Sequence, residues 1–464
     1  MSITATRLDA LRLFHDGWRA LSDIEAAGLR IDTNKLAATI VDTKERIEAV
    51  QDQLKETDVW KTWVRVYGHK AKLRSRQQLG TVLFDHMGFA CPGDARTRSG
   101  RYKADAATIG KLDHPFIRRY TRLESLQKTY KTYLLGIQRA VVNEYIHPFF
   151  SLHLARSYRS SSDSPNVQNM PVRIPWVAEL IRPLFIAPDG FHFAELDYGS
   201  IEVRISACNH HDPKLIEYCR NPDSDMHRDM ACEIYQCAAS QVTDPTRYSA
   251  KSNFVFAQFY GDWYKTCARH LWENINTLNL SLADGTPMAA HLAAQGMHTL
   301  GVCARDQDAK PGTFEYHIQT VEHDFWHKRF AVYHAWKEEW WQQYLRRGWF
   351  DMLTGFRVEG LYARNDVINY CIQGPAFHCL LWSLIQLHRW LRENNMRSRI
   401  VGQIHDSLLL YIHKDELHLV IHQANKIMCR MLPHVWRWII VPLVMKPEVS
   451  PLGASWHNKE KYKP

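Results

Sequence analysis

Two aspartates stand where apolar, strand-like runs break. FHFAELDYGS, Phe191 to Ser200, carries Asp197 near its end, and GQIHDSLLLYI, Gly402 to Ile412, sets His405, Asp406 and Ser407 into what otherwise reads as a buried hairpin. If the strands neighbour each other in one sheet, the carboxylates come side by side. At about 4 Å they would repel by roughly 4 kcal/mol at an effective dielectric of about 20, so such a pair normally holds cations, and divalent metal is the expectation. Either aspartate alone would read as a turn or cap residue. A second constellation lies in RYSAKSNFVFAQFYG, Arg247 to Gly261. Arg247 and Lys251 share a helical face and could grip phosphates, although surface charges at that spacing are common. Phe254, Phe256, Phe259 and Tyr260 would be core residues but for that company, which makes a base-stacking role credible.

The positioning elements follow from pattern. Phe191 onward reads as a strand that hands over to a helix near Ser200. SRIVGQIH and LLLYI flank Asp406 as two strands, with ELHLVIHQANKIMCRML as a helix packed behind them. From Asp32 to about Leu54, the residues Leu36, Ile40, Val41, Ile47, Val50 and Leu54 have helical spacing and predict a long amphipathic helix. RVYGHKAKLRSR, from Arg65, and RTRSGRYK, from Arg96, gather positive charge around turn-forming residues; they read equally well as solvated surface or as a phosphate-tracking arm. Ser157 to Pro175 is too rich in Ser, Asn and Pro for helix or central strand and reads as an extended, ordered loop. Between His210 and Arg364 the pattern is mainly helical, with a Gly- and Pro-punctuated insert from Leu282 to Thr313. The Trp-rich helix FWHKRFAVYHAWKEEWWQQYL follows, and its tryptophans read as packing.

Composition sets the class. At 45% apolar and 23% charged residues the 464-residue chain is globular, and its length allows two or three domain-sized units around a deep cleft. A net charge of +9 favours a polyanionic partner without proving one. The ten cysteines include no CxxC pair, so free thiols in a reducing compartment are expected. The N-terminus lacks the apolar core of a signal peptide and no run approaches a bilayer span, which leads us to expect a cytoplasmic protein without membrane contact.

Taken together, these residues resemble the polymerase domain of family A DNA polymerases, the family of bacterial DNA polymerase I and many phage replicative enzymes. DYGSIEVR is similar to the family's motif A, RYSAKSNFVFAQFYG to motif B and QIHDS to motif C. Further matches keep the family's order: IEAAGLRID, LRSRQQLGTVLFDHMG, LQKTY, RSSSDSPNVQNMP, IRPLFIAPDG, DMH, NYCIQG and the closing VPL with Gly453 and Trp456.

The resemblance implies an α+β right-hand fold with an antiparallel palm sheet, helical fingers and a helical thumb. Residues 1–32 would lead into palm and thumb, 33–138 form the thumb, 139–210 the palm with motif A, 211–365 the fingers with motif B, and 366–464 the palm with motif C. It implies template-directed addition of deoxynucleoside triphosphates to a primer, with Asp197 and Asp406 binding two Mg²⁺ ions. Arg247, Lys251 and His227 match contacts to the incoming triphosphate, Lys251 also as a general acid, and Tyr198, Phe256 and Tyr260 match further residues of the nucleotide site. Glu202 matches a steric gate against a ribose 2′ hydroxyl. Arg159, Asn369, Gln373 and His405 match residues that approach primer–template DNA, where minor-groove acceptors shared by most base pairs allow sequence-independent contact. The resemblance starts within the first few dozen residues, so we expect no proofreading exonuclease in this chain and leave open a separate exonuclease or processivity factor; a monomer is expected. The divergent motifs point to a phage or plasmid origin and, for a phage protein, to the bacterial host cytoplasm.

Three departures stand out. The family places aromatics four and eight residues after the motif B lysine; here Val255 and Phe259 hold those positions, and Phe256 and Tyr260 come one residue late. At about 100° per residue Tyr260 would face away from Lys251, so either a π-bulge or a shifted register is required. Asn365 stands where the family commonly has arginine, beside Arg364, and Ser407 stands where most members have glutamate, predicting a less negative metal centre. Ser407 also fits single-subunit RNA polymerases, but Glu202 and the RSSSDSPNVQN segment are of the DNA polymerase kind. A non-catalytic DNA-binding relative is the third reading, against which the retained Asp197, Asp406, Arg247 and Lys251 argue.

Overall fold

The computed structural model describes residues 5–92, 95–97, 99–171 and 174–463; Arg98 of the second basic stretch lies outside the described residues. The chain opens with α1 (Arg7–Ala27), whose N-terminus is closed by a reciprocal capping box between Thr6 and Asp9. Next comes α2 (Thr33–Lys55), N-capped by Asp32, which matches the amphipathic helix expected there. Together with α3 (Pro115–Lys128), the C-terminal end of α2 encloses a separate small core that includes Leu54, Trp63, Leu83, Phe116 and Tyr120. Nearly all the other buried apolar residues form one cluster, from α1 through the central sheet to the helices beyond it.

The central sheet has five antiparallel strands. In chain order the elements around it are β1 (Phe191–Tyr198), α4 (Ile201–His210), α5 (Met226–Tyr235), α6 (Asp244–Ala250) and α7 (Phe256–Phe259). Then follow α8 (Tyr264–Thr277), α9 (Phe314–Asp324), α10 (Ala331–Arg347), α11 (Arg364–Glu393), β2 (Arg399–Ile404), β3 (Ser407–His413), α12 (Leu417–Asn425), β4 (Met445–Val449) and β5 (Glu460–Lys461). The strand order is β5–β4–β1–β3–β2, so the two aspartate-bearing strands are neighbours. Every residue of β3 is buried, which is why its sequence runs SLLLYIH without alternation. Tyr198 fastens β1 to the helices behind: its hydroxyl lies 2.9 Å from Ser383 Oγ on α11 and donates to the Met428 carbonyl at 2.9 Å.

Two expectations for the helical region are refined. The Trp-rich stretch is interrupted by a π turn at Phe325–Arg329 before α10, although its tryptophans do pack, Trp336 stacking on Trp340 with centroids 5.4 Å apart. A hairpin, Trp349–Asp351 with Arg357–Glu359, joins α10 to α11; three-residue strands leave too little alternation to recognise in sequence. The insert after Leu282 holds the helix Met288–Ala294 and is pinned by the buried Lys265, which donates to the carbonyls of Ala304 and Gln307 and pairs with Glu315 at 3.8 Å. All ten cysteines are unpaired. Among the described residues no helix is long and apolar enough to cross a membrane.

Candidate active site

Cross-strand register brings the aspartates together. Asp197 on β1 pairs directly with Ser407 on β3, and the Tyr198 amide donates to the Asp406 carbonyl at 3.1 Å. Asp406 sits in the two-residue turn between β2 and β3, made possible by His405 at φ 49° in the left-handed region. The loop expected before Pro175 buttresses this turn: Gln403 Oε1 accepts from Ser160 Oγ at 2.6 Å and from Gln168 Nε2 at 2.7 Å, while Gln403 Nε2 donates to the His405 carbonyl at 2.7 Å. Gly374 on α11 completes the close packing, since a Cβ there would lie 2.8 Å from the Ser157 carbonyl oxygen.

Beside the turn is a cavity of about 450 Å³. Asp406, His405, Arg159 and Glu202 line it from the palm side, Asn369 and Gln373 from α11, and Phe256 and Tyr260 from the motif B helix. Within it Tyr260 donates to Glu202 Oε2 at 2.6 Å, and Arg159 Nη1 pairs with Glu202 Oε1 at 3.2 Å. That Tyr260 reaches this cavity at all is due to a π turn at Lys251–Val255, between α6 and α7, which absorbs the extra residue of motif B. Lys251 Nζ accordingly lies 5.2 Å from the centroid of the Phe256 ring.

The cationic side of the site is braced by one residue the sequence reading passed over. Asp225 N-caps α5 and accepts from Arg247 Nε at 2.6 Å, fixing the guanidinium. His227 packs edge-on against Phe256, with its buried Nδ1 lacking a hydrogen-bond partner. Burial, then the charges of Lys251 and Arg247, press its pKa down to about 4, so the ring is neutral at pH 7. Lys251 is also lowered, by burial first and then by Arg247 and Lys446. Burial, then the charges of Asp406 and Glu195, lifts Asp197 to about 7; burial and then Glu202 lift Asp406 to about 6.

Several expectations change. Tyr198 does not enter the nucleotide site through its side chain: alternation along β1 turns its ring away from the Asp197 face, and it is 2% exposed in the core. The expected loss of a carboxylate at Ser407 is offset by Glu195, whose Oε1 lies 3.0 Å from Ser407 Oγ. Burial opposes the ionisation of Glu195, but Lys459, Trp456 Nε1 and Ser407 together hold it below the ordinary carboxylate value. Arg364 turns to Glu338, at 3.3 Å, whereas the Asn365 amide rests against Gly261 at the end of motif B.

Among the described residues no group of three or more His, Cys, Asp or Glu is arranged to hold a metal ion. Asp197 and Asp406 still suit a divalent cation that takes its other ligands from phosphate oxygens and water, because both carboxylates resist ionisation as a bare pair and a cation would relieve that.

Known proteins resemble this chain in sequence and in fold. DNA polymerase I of Geobacillus stearothermophilus is 26% identical over 447 residues, covering 94% of this chain and 44% of that protein. The thermostable DNA polymerase I of Thermus aquaticus is 27% identical over 451 residues, covering 94% and 46%. The chain thus spans just under half the length of these relatives. A solved structure of the POL domain of Pol1 from M. smegmatis, in complex with DNA primer-template and dNTP, superposes with a TM-score of 0.73 at 23% identity, over 95% of this chain and 69% of that one, which shows the right-hand fold. The family model for DNA polymerase family A matches residues 42–277 and 343–458. With most of its length matched, and with motifs A, B and C gathered around one cavity, the chain belongs to DNA polymerase family A.

Proposed function

We propose that the chain is a DNA-directed DNA polymerase that extends a primer 3′ end on a template by nucleotidyl transfer. The observation that carries this reading is the convergence of Asp406, Glu202, Tyr260 and Arg159 on one cavity, next to an Asp197 whose charge acts on Lys251. Asp197 and Asp406 would hold two Mg²⁺ ions, which when bound supply charge stabilisation at the attacking 3′ oxygen and the leaving pyrophosphate. Arg247, held by Asp225, and Lys251 grip the triphosphate; neutral His227 offers a ring N–H to the same group. Burial lowers the Lys251 pKa, which makes its ammonium the better proton donor to the departing pyrophosphate.

Glu202, tied by Tyr260 and Arg159, is fixed where a 2′ hydroxyl would need room, which favours deoxyribonucleotides over the RNA polymerase reading. Asn369 and Gln373 from α11, and His405 from the β2–β3 turn, line the same cavity and suit the primer–template minor groove. The structural relative solved in complex with DNA primer-template and dNTP supports both partners for this chain. Primer extension with Mg²⁺ and four deoxynucleotides, repeated with ribonucleotides and with Asp406→Ala, is the test. Template-dependent growth with deoxynucleotides only, abolished by Asp406→Ala, is expected. No incorporation by folded wild-type protein would leave only the non-catalytic reading, and equal use of ribonucleotides would favour the RNA polymerase one.

A further inference from the structure

Asp197 has a second neighbour in the ladder. On the side of β1 away from Ser407 it pairs directly with Lys446 of β4. Residues directly opposite in an antiparallel pair project to the same face, so Lys446 stands on the cleft face beside the catalytic carboxylate. Its stem lies over the turn that leads into α4: a Cβ at Gly199 would meet Lys446 Cε at 3.0 Å and Nζ at 3.6 Å. The residue is exposed, and the nearby acid on its own strand, Glu448, accepts instead from Lys459 at 2.5 Å.

We infer that Lys446 is a palm-side contact for the phosphates of the incoming nucleoside triphosphate, facing Arg247 and Lys251 across the tail, so that the tail is gripped from palm and fingers together. This rests on the polymerase reading above. Position selects the triphosphate over the DNA backbone. The strand order puts Lys446 on the flank of Asp197 opposite to the β2–β3 turn that carries His405 and Asp406. The charges it shares space with are those of the triphosphate side: Lys446 acts on His227 and Lys251 as a like charge and on Asp197 as an opposite one. An ammonium on a flexible stem also suits a group that changes from triphosphate to free pyrophosphate during the reaction.

The test uses the full chain with Lys446→Ala and Lys446→Arg. In Lys446→Ala the KM for deoxynucleotide should rise about tenfold, the size of one charge-assisted hydrogen bond, with a parallel weakening of inhibition by pyrophosphate. The nucleotide concentration that stabilises a complex with a dideoxy-terminated primer, a binding measurement without chemistry, should rise by the same factor. Lys446→Arg should recover most of the loss, and affinity for primer–template and the Tm should not move. Unchanged nucleotide and pyrophosphate constants in an active Lys446→Ala enzyme would overturn the assignment while leaving the polymerase reading intact. Equal weakening of nucleotide and primer–template, or a failure of Lys446→Arg to rescue, would overturn it too. An inactive wild-type enzyme would instead count against the polymerase reading.

Discussion

Ser407 Oγ stands 3.0 Å from Glu195 Oε1, and also 3.0 Å from the Ile404 carbonyl, so its one proton fastens the base of the Asp406 turn to a buried carboxylate on the neighbouring strand. Glu195 is in turn neutralised by Lys459 and accepts from Trp456 Nε1 at 2.8 Å. A glutamate at position 407 would therefore meet a carboxylate already in place. We predict that Ser407→Glu lowers stability by about 2–4 kcal/mol, the cost of crowding a second charge into a buried, filled site. Glu195→Gln in the same chain should recover most of that, and urea unfolding of the four proteins gives the coupling. An unchanged midpoint in Ser407→Glu would mean that the two side chains do not share a site.

The pH dependence follows from the aspartate pair. Both are raised in the folded chain, Asp197 to about 7 and Asp406 to about 6. Between the ordinary carboxylate value near 4 and about 7 the folded state thus binds more protons than the unfolded state. In the absence of divalent ions, stability falls as pH rises through that window. A cation held by the ionised pair acts in the opposite direction, so the rise in Tm produced by Mg²⁺ should be small at about pH 5 and grow towards about pH 8. Asp406→Asn should remove most of this rise. A Mg²⁺ effect independent of pH in thermal melts would place the ion elsewhere.

Glu202 is held from two directions, by the Tyr260 hydroxyl and by Arg159. Glu202→Ala should open space beside the sugar and reduce discrimination against ribonucleotides by about 100-fold, read as the ratio of kcat/KM values. Tyr260→Phe leaves the gate in place but loosens it, and a loss of about tenfold or less is expected. If Tyr260→Phe relaxed sugar selection as far as Glu202→Ala, the tyrosine and not the carboxylate would be the gate.

Much of this site was readable in the sequence because its residues sit on strong local patterns. Asp197 and Asp406 end or interrupt apolar strands, and Arg247 and Lys251 share a helical face, so period and charge point to them without the fold. The residues that were missed have partners far along the chain. Asp225 looks like an ordinary helix cap and is one; that it also holds Arg247 depends on how α5 packs against α6. Gln403, Glu195 and Lys446 are polar residues within strands, and only the β4–β1–β3 register and the loop across β2 show that each faces the cleft or its supports. Tyr198 was misplaced for the converse reason: neighbouring an aspartate in sequence puts a strand residue on the opposite face.

Motif B offers the sharpest test of how the fold absorbs a sequence irregularity. The π turn at Lys251–Val255 uses one residue more than a regular turn, and this restores Phe256 and Tyr260 to the side of the helix that carries Lys251. Removing Asn253, a half-buried residue within that turn, would leave Phe256 and Tyr260 four and eight positions after the lysine, the spacing a regular helix needs. We predict that the deletion keeps deoxynucleotide incorporation within about tenfold of wild type, because the same faces are presented by a regular helix. Deleting Ala257 instead, beyond the turn, leaves Phe256 where it is and rotates Tyr260 by about 100° away from Glu202, which should cost far more in kcat/KM and sugar selection. If the Asn253 deletion were as damaging as the Ala257 deletion, the extra residue would have to be accommodated elsewhere, and Tyr260 would not owe its place to the π turn.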